Sequence, residues 1–339
     1  MILAGDIGGT KTELGCFREE GTGLKLIRSA SFVSRDYPGL KEIVREFRKD
    51  DAQTVTAACF GIAGPVQGDL VETPNLPWLV RGKELADELG LPRVTLLNDL
   101  EANAYGISLL TPDDLVPLTE GLEGEPGNAA LISAGTGLGE AGLHWDGKAW
   151  EPIVSEGGHV DFAPRSKLEA EMLGYLLQQY DHVSYERFLS GPGLINIYHF
   201  LADSGRCEEP DSLREKMEGM DCASVISQGA QQGIAICQKA VEIFVSIYGA
   251  AAGNLALKVL AVSGVFLGGG IAPKMVEPLR SPAFLEAFRS KGRMRPLLEK
   301  IPVHVIMNPK TALLGAARVA ARPADREPDS PISPVASSG

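Results

Sequence analysis

Cysteine is scarce and unpatterned in this chain. The five residues stand at 16, 59, 207, 222 and 237, an odd number, with no Cys-x-x-Cys pair and no histidine at zinc-finger spacing. That excludes a disulfide-stapled scaffold and a zinc ribbon, and leaves reduced structural thiols of a cytoplasmic protein. Basic charge is also in deficit: 32 Lys and Arg stand against 44 Asp and Glu, a formal net charge of −12. A field of that sign repels nucleic acid and anionic membranes, so neither is expected as a partner. It leaves room for an anionic ligand held locally by backbone N–H groups and a metal ion. Residues 1–6 lack a basic segment followed by a long apolar run, so no secretory signal is read there. The most apolar stretch, about residues 230–260, is interrupted by Gln238, Lys239, Glu242, Asn254 and Lys258. It predicts a buried or amphipathic helix rather than a membrane span.

What the chain does have is length and glycine. Its 339 residues, at roughly 150 per domain, suggest two domains with ample core. Apolar residues form 44% and charged residues 22%, ordinary globular composition. The 39 glycines cluster beside Thr, Asp and Glu, which marks turns rather than a linker. Apolar runs at 2–4 and 54–62, with strands at 13–18, 24–32 and 93–97, alternate with helices. Leu40, Ile43, Val44 and Phe47 fall on one face of a 3.6-residue period. The order to residue 109 reads βββαβαβα. A strand, a Gly-Thr turn and a second strand occur twice, at 2–18 and 129–145, which suggests two related halves. Asp146-Gly147 reads as a two-residue hairpin. Residues 323–339 hold four prolines and four serines with little apolar mass and read as a disordered tail.

Gly5-Asp6-Ile7-Gly8-Gly9-Thr10 is a tight turn whose successive N–H groups can form an anion nest. Asp6 helps a phosphate only if a cation intervenes. A single such turn also reads as a plain hairpin with a turn-favouring Asp. Gly135-Thr136-Gly137 repeats the pattern in the second half, and two matched loops could take the β- and γ-phosphates of a nucleotide. Gly268-Gly269-Gly270 ends a strand; bare of side chains, it suits a nucleobase or ribose, or an ordinary strand-to-helix turn. Asn98-Asp99 sits at a strand's carboxyl end entering a helix. It reads either as helix capping or as a general base with an orienting neighbour. Glu156-Gly157-Gly158-His159 brings donors and acceptors close together on an extended Gly-Gly, which suits a polyol, while His159 alone also reads as a satisfied buried histidine. Glu186 opens a helix at Tyr185-Glu186-Arg187, where it could equally complement the helix dipole.

The segments GDIGGTKTELG, FGIAGPV, LLNDLEANAYGI, SAGTGLGEAGL, SEGGHVDFAP, SYERFLSGPGLINIY and LGGGIAPK, in that order, resemble bacterial ATP-dependent glucokinases. Those belong to the sugar kinase and actin-like ATPase superfamily. The resemblance spans about residues 2–321. It implies an α/β protein with a two-lobed actin-like ATPase (ribonuclease H-like) fold and a cleft between two βββαβα-type domains. The small domain would take 1–109 plus 308–321, the large domain 110–307, and the tail 322–339. The implied activity is transfer of the γ-phosphoryl group of ATP to the 6-hydroxyl of glucose, with Mg²⁺. The alternatives are a kinase for another hexose or amino sugar, or a non-catalytic sugar or nucleotide sensor. Asp99 resembles the catalytic base. Asn98, Glu156, His159 and Glu186 resemble the sugar-hydroxyl binders. Gly5–Thr10 and Gly135–Gly137 resemble the phosphate loops, Gly268–Gly270 the adenosine loop, and Asp6 the carboxylate near Mg²⁺, acting through water. A cytoplasmic homodimer is implied. Lys11, Glu140 and the 73–78 segment depart from the family pattern.

Overall fold

The computed structural model describes residues 1–21, 23–50, 53–119, 121, 126–218 and 221–322. The tail expected at 322–339 therefore lies outside the described residues except for Arg322. The chain divides into two compact units. One holds Met1–Leu109 with the described residues from Lys310 onward, and the other holds Leu110–Pro309.

The first unit is built on strands β1 (Ile2–Ile7), β2 (Lys11–Glu20) and β3 (Gly23–Val33), an antiparallel meander. After helix α1 (Leu40–Arg48) comes β4 (Ala57–Ile62), parallel to β1. A small antiparallel sheet follows, of β5 (Val66–Gln67), β6 (Leu70–Glu72) and β7 (Leu79–Arg81). Then come α2 (Gly82–Leu89), β8 (Thr95–Asn98), parallel to β4, and α3 (Asp99–Gly106). The main sheet runs β3-β2-β1-β4-β8. Leu40, Ile43, Val44 and Phe47 are the buried face of α1, as the period predicts. Gly90, with φ of 66°, closes α2 in the left-handed conformation. On the other face of the sheet, α3 packs against the closing helix Thr311–Ala320, with Ala102, Tyr105, Leu313 and Ala316 in the seam.

The second unit repeats the order. After β9 (Leu115–Thr119) come β10 (Ala129–Ala134), β11 (Leu138–Trp145) and β12 (Trp150–Ser155), an antiparallel meander. Helices α4 (Lys167–Leu176), α5 (Gly191–Asp203), α6 (Asp211–Met217), α7 (Cys222–Gln231) and α8 (Ala235–Val259) precede β13 (Val265–Gly268) and β14 (Val303–Ile306). The sheet runs β12-β11-β10-β13-β14-β9, with β10, β13 and β14 parallel. α8 is long and apolar enough to cross a membrane by length and composition alone, but 78% of its apolar window is buried within the unit. It is the unit's central core helix, carrying buried Phe244, Ile247, Tyr248 and Leu255.

Three local expectations change. The hairpin at Asp146-Gly147 pairs Trp145 with Trp150 and so has a four-residue loop. Asp146 Oδ1 accepts from the backbone N–H groups of Lys148 and Ala149, both at 2.7 Å, and that side-chain turn makes the longer loop favourable. Gly157-Gly158 is not extended but lies in a 3₁₀ turn, Gly157–His159. Residues 185–187 form only a 3₁₀ turn. The helix beyond starts at Gly191, where the Ser190 hydroxyl caps the Gly193 N–H.

The seam between α3 and the closing helix is set by glycine. A Cβ on Gly315 would overlap the Ala102 carbonyl and stand 2.6 Å from the Gly106 nitrogen. Gly315→Ala should therefore destabilise the protein by about 1–3 kcal/mol through overpacking, despite alanine's better helix propensity. Thermal unfolding checks this; a raised Tm would contradict the close approach.

Candidate active site

In the first unit, the parallel register levels three strand ends: Ile7 pairs with Ile62, and Ile62 with Asn98. The glycine turn after β1 and the helix start after β8 therefore share one sheet edge, where ligands of such sheets bind. Gly61 lies beside both Asp6 and Leu97, so no side chain separates β1 from β8 there. Asp6 is partly buried. Burial, with Asp99 and Glu13 as further negative neighbours, pushes its carboxyl up to about 7, and only Lys11 opposes. Asp99 Oδ1 accepts from the Leu100 N–H at 3.0 Å. Asn98 caps α3 through Oδ1 to the same N–H at 2.9 Å, and its amide donates to the Gly64 carbonyl at 3.0 Å. The capping reading thus holds for Asn98, whose side chain is engaged at both ends by backbone. Glu101 accepts from the Asn98 backbone and completes the cap.

The turn itself is closed by Gly8 N–H to the Lys11 carbonyl at 2.9 Å. Ser34 braces it from β3's end. Its N–H donates to the Thr10 carbonyl at 3.0 Å, and its hydroxyl donates to the Gly8 carbonyl at 2.8 Å. Thr10 is exposed. Gly5 and Ile7 are buried within β1, so Ile7 can offer a ligand only its backbone. Lys11 is engaged by Glu13 at 2.7 Å. From the 73–78 segment, Asn75 packs over Gly9.

In the second unit, the Gly135–Gly137 turn follows β10. Gly135 N–H donates to the Gly137 carbonyl at 2.9 Å, and Gly191 N–H donates to the Gly135 carbonyl at 2.8 Å. Gly269 has φ of 80°, and a Cβ there would overlap the Ala134 carbonyl, so the third glycine cluster folds back onto the strand carrying the second turn. Gly135, Thr136 and Gly270 line one cavity of about 910 Å³, with Ile195, Gln231 and Lys274 among its other walls. The volume suits a nucleoside. Gly268 is buried at the end of β13.

Three polyol candidates, Glu156, His159 and Glu186, lie in the second unit beside that turn, while Asn98 belongs to the first. A Cβ on Gly158 would overlap the Leu138 carbonyl, so the 157–159 turn lies tight on β11. Its neighbour is the 185–187 turn: Tyr185 N–H donates to the Val160 carbonyl, and Phe162 N–H to the Val183 carbonyl, both at 3.1 Å. His159 Nε2 stands 4.0 Å from Glu186 Oε2. The same Glu186 oxygen accepts the Leu138 N–H at 2.9 Å, which joins the polyol candidates to the second glycine turn. Glu156 is exposed at the turn's start, and its carbonyl accepts the His159 N–H at 3.0 Å. Sequence reasoning missed Ser34, Asn75, Lys274 and the Leu138 N–H. The hydroxyl at 34 had no signal, since its brace spans 26 residues of chain.

Each sheet has an antiparallel 3-2-1 meander continued by parallel strands, with a glycine turn after its first strand. That is the fold of the actin-like ATPases and of their sugar kinases. The family model described as Glucokinase matches residues 3–323. A glucokinase of Nostoc punctiforme is 42% identical over 95% of this chain and 99% of its own. The crystal structure of a glucokinase from an Antarctic psychrotroph superposes with a TM-score of 0.83 at 30% identity, covering 94% of this chain and 98% of that one. A ROK-family glucokinase from Streptomyces griseus, solved with glucose and AMPPNP, is similar in fold alone, with a TM-score of 0.64 at 23% identity over 94% of this chain and 98% of that one. The chain belongs to the glucokinase family.

Glu140, which departs from the family pattern, is buried in β11 against Gly157. Burial raises its pKa from the usual 4.5, opposed by Lys258. A carboxyl whose folded pKa is raised contributes stability below the unfolded value, and loses it as pH rises through the folded one. Glu140→Gln should thus raise Tm at pH 8 but not near pH 4, at about 2–4 °C per kcal/mol. Thermal melts at both pH values test this; an equal difference at each would contradict it.

Proposed function

We propose that this chain is an ATP-dependent glucokinase of the cytoplasm, acting as a homodimer, and that Asp99 is its base. Asp99 accepts the proton of the sugar 6-hydroxyl as the O6–phosphorus bond forms and the bond from the γ-phosphorus to the β-phosphate bridging oxygen breaks, leaving ADP. The observation that carries the reading is the level register of β1, β4 and β8, which supports a carboxylate standing beside a phosphate-type turn. At the start of α3, the Leu100 N–H holds Asp99 Oδ1 at 3.0 Å and orients the carboxylate.

Asn98, Glu156, His159 and Glu186 hold the sugar hydroxyls. Carboxylates accept, and the His159 ring and the Asn98 amide hydrogen not given to the Gly64 carbonyl donate. Gly5–Thr10 and Gly135–Gly137 offer backbone N–H groups to the phosphates. Gly268–Gly270 forms the floor for adenosine, beside the 910 Å³ cavity. The likeness to a protein solved with glucose and AMPPNP supports these ligand classes.

Mg²⁺ fits the first turn. The Asp6 pKa is raised first by burial and then by its negative neighbours Asp99 and Glu13, both of which a bound cation would relieve. Among the described residues, no group of three or more His, Cys, Asp and Glu is placed to hold an ion. Nucleotide oxygens and water would therefore hold it, with Asp6 acting through water. When bound, the ion neutralises charge on the phosphoryl group being transferred.

The test is ADP release with glucose, mannose and fructose. Glucose should give the highest kcat/KM. Asp99→Ala should keep the wild-type Tm and sugar affinity but lose about 10²–10⁴-fold in kcat, roughly 3–5 kcal/mol of barrier. Turnover within about threefold of wild type would remove Asp99 from the base role.

A further inference from the structure

Lys291 follows the helix Pro282–Arg289, more than a hundred residues from any polyol candidate in sequence. It is partly buried and reaches across α8. Its ammonium donates to the Ala250 carbonyl at 2.9 Å and to Asn254 Oδ1 at 2.6 Å. Gly253 leaves room for this, since a Cβ there would stand 2.9 Å from Lys291 Cε. Asn254 Nδ2 in turn donates to the Tyr185 hydroxyl at 3.0 Å.

The direction of this relay is fixed by chemistry. An ammonium only donates, so the amide of Asn254 must present its oxygen to Lys291 and its NH₂ to Tyr185. Without Lys291, the amide is free to flip and present an acceptor instead. The Tyr185 ring stands edge-on to Phe162 at 5.3 Å, and the Tyr185 N–H donates to the Val160 carbonyl at 3.1 Å. Tyr185 therefore ties together two segments. Tyr185 opens the turn carrying Glu186, and Phe162–Ala163 ends the segment that begins at Glu156.

We propose that Lys291 is a positioning residue for the sugar site: through Asn254 it fixes Tyr185, and with it the spacing of Glu186 and His159. The inference rests on the reading that those two residues bind the sugar. Charge alone does not explain the lysine's place. Burial and the nearby Arg165 push its pKa down to about 8, opposed by Glu169, so holding the charge there costs stability. A methionine would fill the same volume at lower cost.

Lys291→Met, Tyr185→Phe and the double variant of the full chain test this, by glucose titration calorimetry and steady-state kinetics. Each single change should raise glucose KM and Kd about tenfold, with kcat and ATP KM within about twofold of wild type. The double variant should be no worse than the worse single, because both cut one relay. Asn254→Ala removes both the acceptor for Lys291 and the donor to Tyr185, and should show the same loss. It carries the test should Lys291→Met fail to fold. A glucose KM within about twofold of wild type in Lys291→Met, or multiplied effects in the double variant, overturns the proposal. Glu186→Gln separates the two readings. Weakened glucose binding there, with Lys291→Met unaffected, overturns this inference alone. Unchanged binding in Glu186→Gln overturns the sugar-site reading and this inference with it.

Discussion

Two carboxylates that repel one another are held at one sheet edge, and the first unit depends on that arrangement. Asp6 reaches the edge from β1 and Asp99 from the start of α3, with only Gly61 beside them on the intervening strand. Burial and the neighbouring charges push Asp6 far above the usual carboxylate range. Such a cluster is costly in an isolated fold, and folds keep costly charge where chemistry uses it. The turn between β1 and β2, braced by Ser34, supplies N–H groups at the same edge.

The second unit builds its glycine turn on a similar strand order. Its glycine turn is tied by hydrogen bonds to three separate segments. Gly191 donates to the Gly135 carbonyl, Ile271 to the Ala134 carbonyl, and the Leu138 N–H to Glu186. The Glu186 carboxylate thus ties the first residue of the strand that follows the Gly135–Gly137 turn to the 185–187 turn. Interior polar groups around Tyr185 hold that turn from behind, and the buried Glu140 lies against the neighbouring Gly157.

Much of this was legible in the residues. The paired glycine turns, the buried face of α1 and the Gly90 helix end follow from local rules of period, cap and positive φ. The capping choice at Asn98 was also open to local reasoning, and the structure takes it. What escaped has a common cause. The Ser34 brace and the Lys291 relay join residues far apart in sequence, and no local signal marks either partner. The short strands β5–β7 carry two or three residues each, too few for a period to register. The four-residue hairpin loop was misread because Asp-Gly favours a tight turn, while the Asp146 side chain stabilises a wider one. The helix α6 was missed because its seven residues bury only Leu213.

The crowding of carboxylates at the first turn is tested most directly by a carbon-13 NMR titration of the aspartate carboxyls, with Asp6 assigned by its loss in Asp6→Asn. The account predicts that Asp6 titrates near 7 in the ligand-free protein, as burial and Asp99 dictate, and falls toward the ordinary range when Mg²⁺ and a non-hydrolysable ATP analogue are added. An Asp6 that titrates near its usual 3.8 without ligand would contradict it.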